Sequence, residues 1–211
     1  MPRTSTEEYE RLPLRVHEFL AGVPLHDVWA VELPWPRSGI TLYEFSRKAS
    51  ARVFTLSPIV RALLSARLLV GRLLRWEREP AATHWESFAT RLTTADRSKS
   101  RTPAGTREGL FRVVYRFENE QLLELINRTA HAAAMSALVE TADAYRFYFA
   151  VYVRRVSIFT PIYMALIDPF RKLIVYRSLL RSVRANWNRS FGTAEGRARS
   201  PTPRRTRAEE R

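Results

Sequence analysis

Residues 127–135 read NRTAHAAAM, and the conformation of this stretch decides the fold. By intrinsic preference an alanine run is helical. Its surroundings follow a different period. Upstream lie LFRVVYRF (110–117) and LLELIN (122–127). Downstream, YRFYFAVYVRRV (145–156) sets Phe147, Phe149, Val151 and Val153 against Arg146, Tyr148, Tyr152 and Arg154. Glu118–Gln121 and ETADAY, with Thr141 and Asp143, supply turn chemistry between these runs. Strands joined by short turns make an antiparallel meander, and tertiary context overrides propensity. A strand through the alanines is therefore expected, with their small side chains setting how closely a covering helix approaches.

Working outward, HDVWAVEL (26–33) alternates as a short strand buried mostly on one face. Thr41 and Glu44 form a capping-box pair that opens a short helix, TLYEFSRKA. A second helix is predicted from Ser57 and Pro58 through SPIVRALLSARLLVGRLLRWE. The composition of 78–109 predicts a long loop, in which THWESFATRL can form a helical turn or two. After Val156 the period returns to 3.6. Asp168 and Pro169 begin a C-terminal helix with Leu173, Tyr176, Leu180, Val183 and Trp187 on one stripe and Arg177, Arg181 and Arg184 on a neighbouring one.

The 211 residues, 45% hydrophobic, suffice for one domain with a buried core. Residues 1–15 are expected to be a polar tail, 16–191 the domain, and 192–211 a disordered basic tail. The absence of cysteine excludes disulfides, thiolate metal sites and a cysteine nucleophile. The opening residues lack the apolar core of a signal peptide, and the longest uncharged apolar run, VSIFTPIYMALI (156–167), is shorter than the ~20 residues that span a bilayer, so a cytoplasmic protein is expected. The formal charge is +14, and only three of the 35 basic residues are lysines. The 193–211 tail and the 78–107 segment each contribute +3 and the remaining +8 is spread over the body, so nucleic acid is not expected to be the main partner. Peripheral contact with an anionic membrane remains open through the arginine-bearing helices.

His17, His26, His84 and His131 show no HxH or HExxH spacing, and the seven glycines form no phosphate-binding loop, so neither metal nor nucleotide cofactor is expected. Glu118 and Glu120 could pair as catalytic carboxylates, but at a hairpin turn solvated charges are expected. Glu124, Asn127 and His131 are the polar residues nearest the alanines. Two readings compete. In one, Glu124 and His131 form an acid–base pair in a cavity; in the other, Asn127 serves the turn and Glu124 pairs with Arg146 or Arg154.

The order strand, helices, loop, antiparallel strands and long C-terminal helix resembles the α+β helix-grip fold of the START-like (SRPBCC) superfamily. HDVWAVELP, FRVVYRFENEQLLELINRTAH, AVYVRR and above all YMALIDPFRKLIVYRSLLR are similar to a bacterial family in it known only as a domain of unknown function. That resemblance implies a curved antiparallel sheet around the C-terminal helix, and relatives in the superfamily bind lipids, hormones or polyketides. It implies no catalytic set. The leading expectation is non-catalytic binding of a small hydrophobic or amphipathic ligand between sheet and helix. Trp29, Met135, Tyr148, Tyr152 and Tyr163 would be the walls, and His131, Glu124 and Asn127 the polar contacts. Close packing of helix on sheet is the alternative that alanine equally permits. A cyclase or dehydratase using His131 and Glu124, and a basic surface for anionic lipid or nucleic acid, are the other functional readings.

Overall fold

A computed structural model describes residues 5–49, 86–126, 131–154 and 168–192. The described part of the alanine stretch is extended: β5 (His131–Glu140) carries Ala132, Ala133 and Ala134. With β1 (Leu25–Pro34), β2 (Arg107–Glu108), β3 (Phe111–Arg116), β4 (Glu120–Ile126) and β6 (Ala144–Arg154) it forms a six-stranded sheet of order β1-β6-β5-β4-β3-β2, antiparallel throughout. The predicted meander is therefore present, and β1 joins it beside β6.

Register explains the alanines. On one face Ala133 lies between Glu124 and Tyr152, and Ala137 between Glu120 and Tyr148, while Met135 lies between Leu122 and Ala150. Glu120, Glu124, Tyr148 and Tyr152 thus each oppose an alanine of β5, and Ala133, Met135 and Ala137 are all fully buried. The small alanine side chains leave room for the larger ones beside them on this face. A bulge between Val113 and Tyr115 puts Val114 and Tyr115 into the same cluster, breaking the alternation that a regular strand would impose.

Both faces of the sheet are covered, so β1 is buried on two sides rather than on one. One face packs against helix α1 (Thr6–Glu10), helix α2 (Arg15–Phe19) and the segment holding Phe88 and Leu92. The other carries Trp29, Val31, Leu33 and Phe147 and is covered by helix α3 (Leu42–Lys48) and the C-terminal helix (Tyr176–Phe191). The predicted Thr41 cap holds, since its side chain accepts from the Glu44 N–H.

Two stretches read as tail and loop hold more structure than expected, although the sequence does allow a helical turn within THWESFATRL. In the presumed N-terminal tail, Ser5 caps α1 by accepting from the Glu8 N–H, and Tyr9 is fully buried. In the presumed 78–109 loop, a 3-10 turn (Phe88–Arg91) precedes helix α4 (Thr94–Lys99). Thr93 and Asp96 close a complete capping box at its start. The expected helix at 57–77 lies outside the described residues.

The C-terminal stripe holds for Tyr176, Leu180, Val183 and Trp187, all buried, but Leu173 is 60% exposed. A π-helical turn, Arg171–Val175, precedes the α-helix. One extra residue per turn rotates what lies before it by about 100°, which carries Leu173 off the buried line. Leu180→Ala should therefore cost about 2–5 kcal/mol, whereas Leu173→Ala should stay within about 0.5 kcal/mol. Urea unfolding of the two variants checks this, and equal losses would mean that the stripe is wrongly phased.

Candidate functional site

Glu124, on β4, and His131, on β5, face the same side of the sheet and lie two residues out of register, since Ile126 opposes His131 and Ala133 opposes Glu124. His131 is fully buried and Glu124 is 1% exposed. His131 Nε2 lies 3.5 Å from Glu124 Oε2, the outer limit of a hydrogen bond. The carboxylate also accepts from Ser87 Oγ and, at 2.8 Å, from the Phe88 N–H. Burial favours the neutral acid, but the bonds from His131, Ser87 and Phe88 prevail and hold Glu124 below the usual carboxylate value. An ionised carboxylate only accepts, so Nε2 carries the proton.

The imidazole stacks on the Phe88 ring, with centroids 4.0 Å apart and planes at 25°. Arg154 covers the same Phe88 ring at 5.4 Å. Among the described residues, His131 Nδ1 is buried with no hydrogen-bond partner, as are His17 Nε2 and Trp29 Nε1. Buried polar atoms are nearly always paired, so one without a partner calls for an explanation. Neither Arg146 nor Arg154 pairs with Glu124, as one sequence reading expected; Arg146 binds Glu8 instead.

The other expected residues separate. Met135, Tyr148 and Tyr152 lie on the same face as His131, under the N-terminal helices, and only Trp29 faces the C-terminal helix. The expected cradle between the sheet and that helix therefore does not gather its walls. Strand parity places Trp29 and Tyr148 on opposite sides because their partners in the register are Phe149 and Ala30. Asn127 and Tyr163 lie outside the described residues. Tyr152 donates to or accepts from Tyr9 at 3.0 Å, and burial pushes its phenol up to about 12. Tyr148 donates to Glu8 at 3.1 Å.

Glu120, expected to be solvated, is 5% exposed. It accepts from the Arg15 and Val16 N–H groups at 2.8 and 2.9 Å and from the Tyr115 hydroxyl, so it caps the first turn of α2. Burial raises its pKa, with these bonds opposing. Glu118 is the exposed member of the pair and binds Arg101.

Ser87 and Phe88, the partners of Glu124, carried no signal in the sequence beyond polar loop composition. A second polar cluster was also not foreseen. His26 Nε2 lies 2.9 Å from Asp168 Oδ1 and 3.6 Å from Asp27 Oδ2, and ligand atoms of these three residues fall within 4.8 Å of one another. Lys172 already supplies a cation there, 2.8 Å from Asp168 and 3.8 Å from Asp27, so the group reads as an ion-pair network joining β1 to the C-terminal segment.

A cleft of about 350 Å3 runs along β1, lined by Ala30–Pro34, Arg146 and Arg184 and by none of the expected wall residues. No helix among the described residues is long and apolar enough to cross a membrane. Among known proteins, no curated relative and no solved structure matches the sequence. A family model does match, over residues 19–178, and by that extent the chain belongs to the family described as Protein of unknown function (DUF2867).

Proposed function

We propose that the protein binds a small amphipathic molecule on the His131 face of its sheet, under the N-terminal layer and not under the C-terminal helix. The observation that carries this is the buried His131 imidazole, tied through Nε2 to an ionised Glu124, with an Nδ1 that no described residue satisfies. A hydroxyl or amide of the ligand would donate to Nδ1, and Phe88 would offer apolar surface beside it. The reading extends to a START-like helix-grip architecture, supported by the antiparallel sheet with its C-terminal helix, and to a cytoplasmic location.

Incubation of the pure protein with a total lipid extract, followed by native mass spectrometry, tests it. The wild type should carry an added mass. His131→Phe keeps the stacking on Phe88, removes both ring nitrogens, and should lose that mass. The same adduct on both proteins, or on neither, would overturn the assignment.

The second reading is acid–base catalysis of a cyclisation or dehydration by the same two residues. It is favoured by their common face and 3.5 Å separation. Under it, Glu124→Gln abolishes consumption of the bound molecule while the adduct remains; an adduct recovered unchanged from the wild type rules it out.

A further inference from the structure

The C-terminal helix buries one stripe against the sheet and leaves another uncovered. Phe170 and Leu173, 50% and 60% exposed, are followed by the exposed Arg177, Arg181 and Arg184. Spacings of four and three set Arg177, Arg181 and Arg184 along one line of the α-helix surface. The π turn that takes Leu173 out of the core lies directly before that line. Of the four large apolar side chains exposed on the described surface, two lie here.

The charge is equally one-sided. From Pro169 to Gly192 the sequence has no acidic residue. Among the described residues none of the three guanidinium groups meets a carboxylate; Arg181 donates only to the Arg177 carbonyl oxygen, at 3.2 Å. Lys172, by contrast, turns away to Asp168 and leaves the strip to the arginines.

We propose that this strip docks the protein on an anionic phospholipid surface. Phe170 and Leu173 enter the boundary between headgroups and acyl chains, and Arg177, Arg181 and Arg184 lie against lipid phosphates. Side chains of these two kinds along one helix match a bilayer interface, which offers apolar depth beside negative charge. A nucleic-acid backbone would engage the arginines but has nothing to receive exposed phenylalanine and leucine. The inference is independent of the ligand reading, which concerns the other face of the sheet.

The test is co-sedimentation of the full chain with vesicles of phosphatidylcholine alone and of phosphatidylcholine with phosphatidylserine. The wild type should bind the second and not the first. R177Q/R181Q/R184Q should weaken that binding about a hundredfold, and F170S/L173S about tenfold. Basic residues after Gly192 are common to all three proteins, so the ratios report the strip alone. All five positions are solvent-facing, and circular dichroism verifies the fold; should the double variant not fold, Leu173→Gln carries the same test. Absence of binding to phosphatidylserine vesicles, or equal binding by wild type and both variants, overturns the proposal. So does a result in which a DNA duplex is bound instead, with the arginine triple losing it and F170S/L173S unaffected.

Discussion

Replacement of Trp187 by alanine should lower the unfolding free energy by about 3–5 kcal/mol, the range for deleting a buried aromatic. Trp187 is 1% exposed and joins three elements. Its ring meets Phe45 of α3 at 5.2 Å, Tyr145 of β6 at 5.1 Å and Phe191 of its own helix at 4.8 Å. Its indole N–H donates to the Pro34 carbonyl at 2.8 Å, at the end of β1. Alanine would leave a cavity where helix, sheet and α3 converge, and would orphan the Pro34 carbonyl. Trp187→Phe separates the two effects, because it keeps most of the ring contact and loses the hydrogen bond, worth about 1 kcal/mol. Guanidinium denaturation measures both. A loss below about 1 kcal/mol for the alanine variant would show that the C-terminal helix is not seated as described.

Loss of the Glu120 carboxylate should be nearly as damaging, at about 3 kcal/mol or more for Glu120→Ala. Three donors would lose their acceptor, the half-buried Arg15 N–H and the buried Val16 N–H and Tyr115 hydroxyl, and each buried group left unpaired costs about 1–3 kcal/mol. Glu118→Ala, two residues away, removes an exposed ion pair with Arg101 and should cost about 1 kcal/mol or less. The two variants therefore separate a structural carboxylate from a solvated one.

The pH dependence has a definite sign. Folding raises the pKa of Glu120 above its ordinary 4.5, chiefly by burial, so the native state holds that proton more tightly than the unfolded chain. The stability this contributes is complete below the unfolded value and is lost as pH rises through the folded one. Glu124 is depressed and works in the opposite sense: its contribution is present above the ordinary 4.5 and is lost as pH falls. In Glu120→Gln the first effect disappears and the second remains. The stability of wild type relative to Glu120→Gln should thus decline as pH rises from about 4.5. A difference that grows with pH over that window would contradict the buried environment assigned to Glu120.

Some of what the sequence left unread was present in it. Ser5 with Glu8 and Thr93 with Asp96 are both spaced as helix caps, yet the polarity around them suggested a tail and a loop. Polarity misleads there because these helices are short and bury few residues, Tyr9 in α1 and Asp96 in α4. Ser87 is different: its bond to Glu124 spans 37 positions and no local pattern announces it.

The sequence by itself determined the antiparallel strands around the alanines, the alternation of β6 and the buried line from Tyr176 to Trp187. These are periodicities of 2 and 3.6, properties of a few consecutive residues. Only the tertiary structure decided that His131 and Glu124 turn away from the C-terminal helix, that Glu120 is capped into the core by α2, and that Leu173 faces outward. Each depends on which layer covers a face or on one extra residue in a helical turn. A side chain's neighbours across the sheet are set by register, but what lies above them is set by chain segments distant in sequence, whose approach no local pattern encodes.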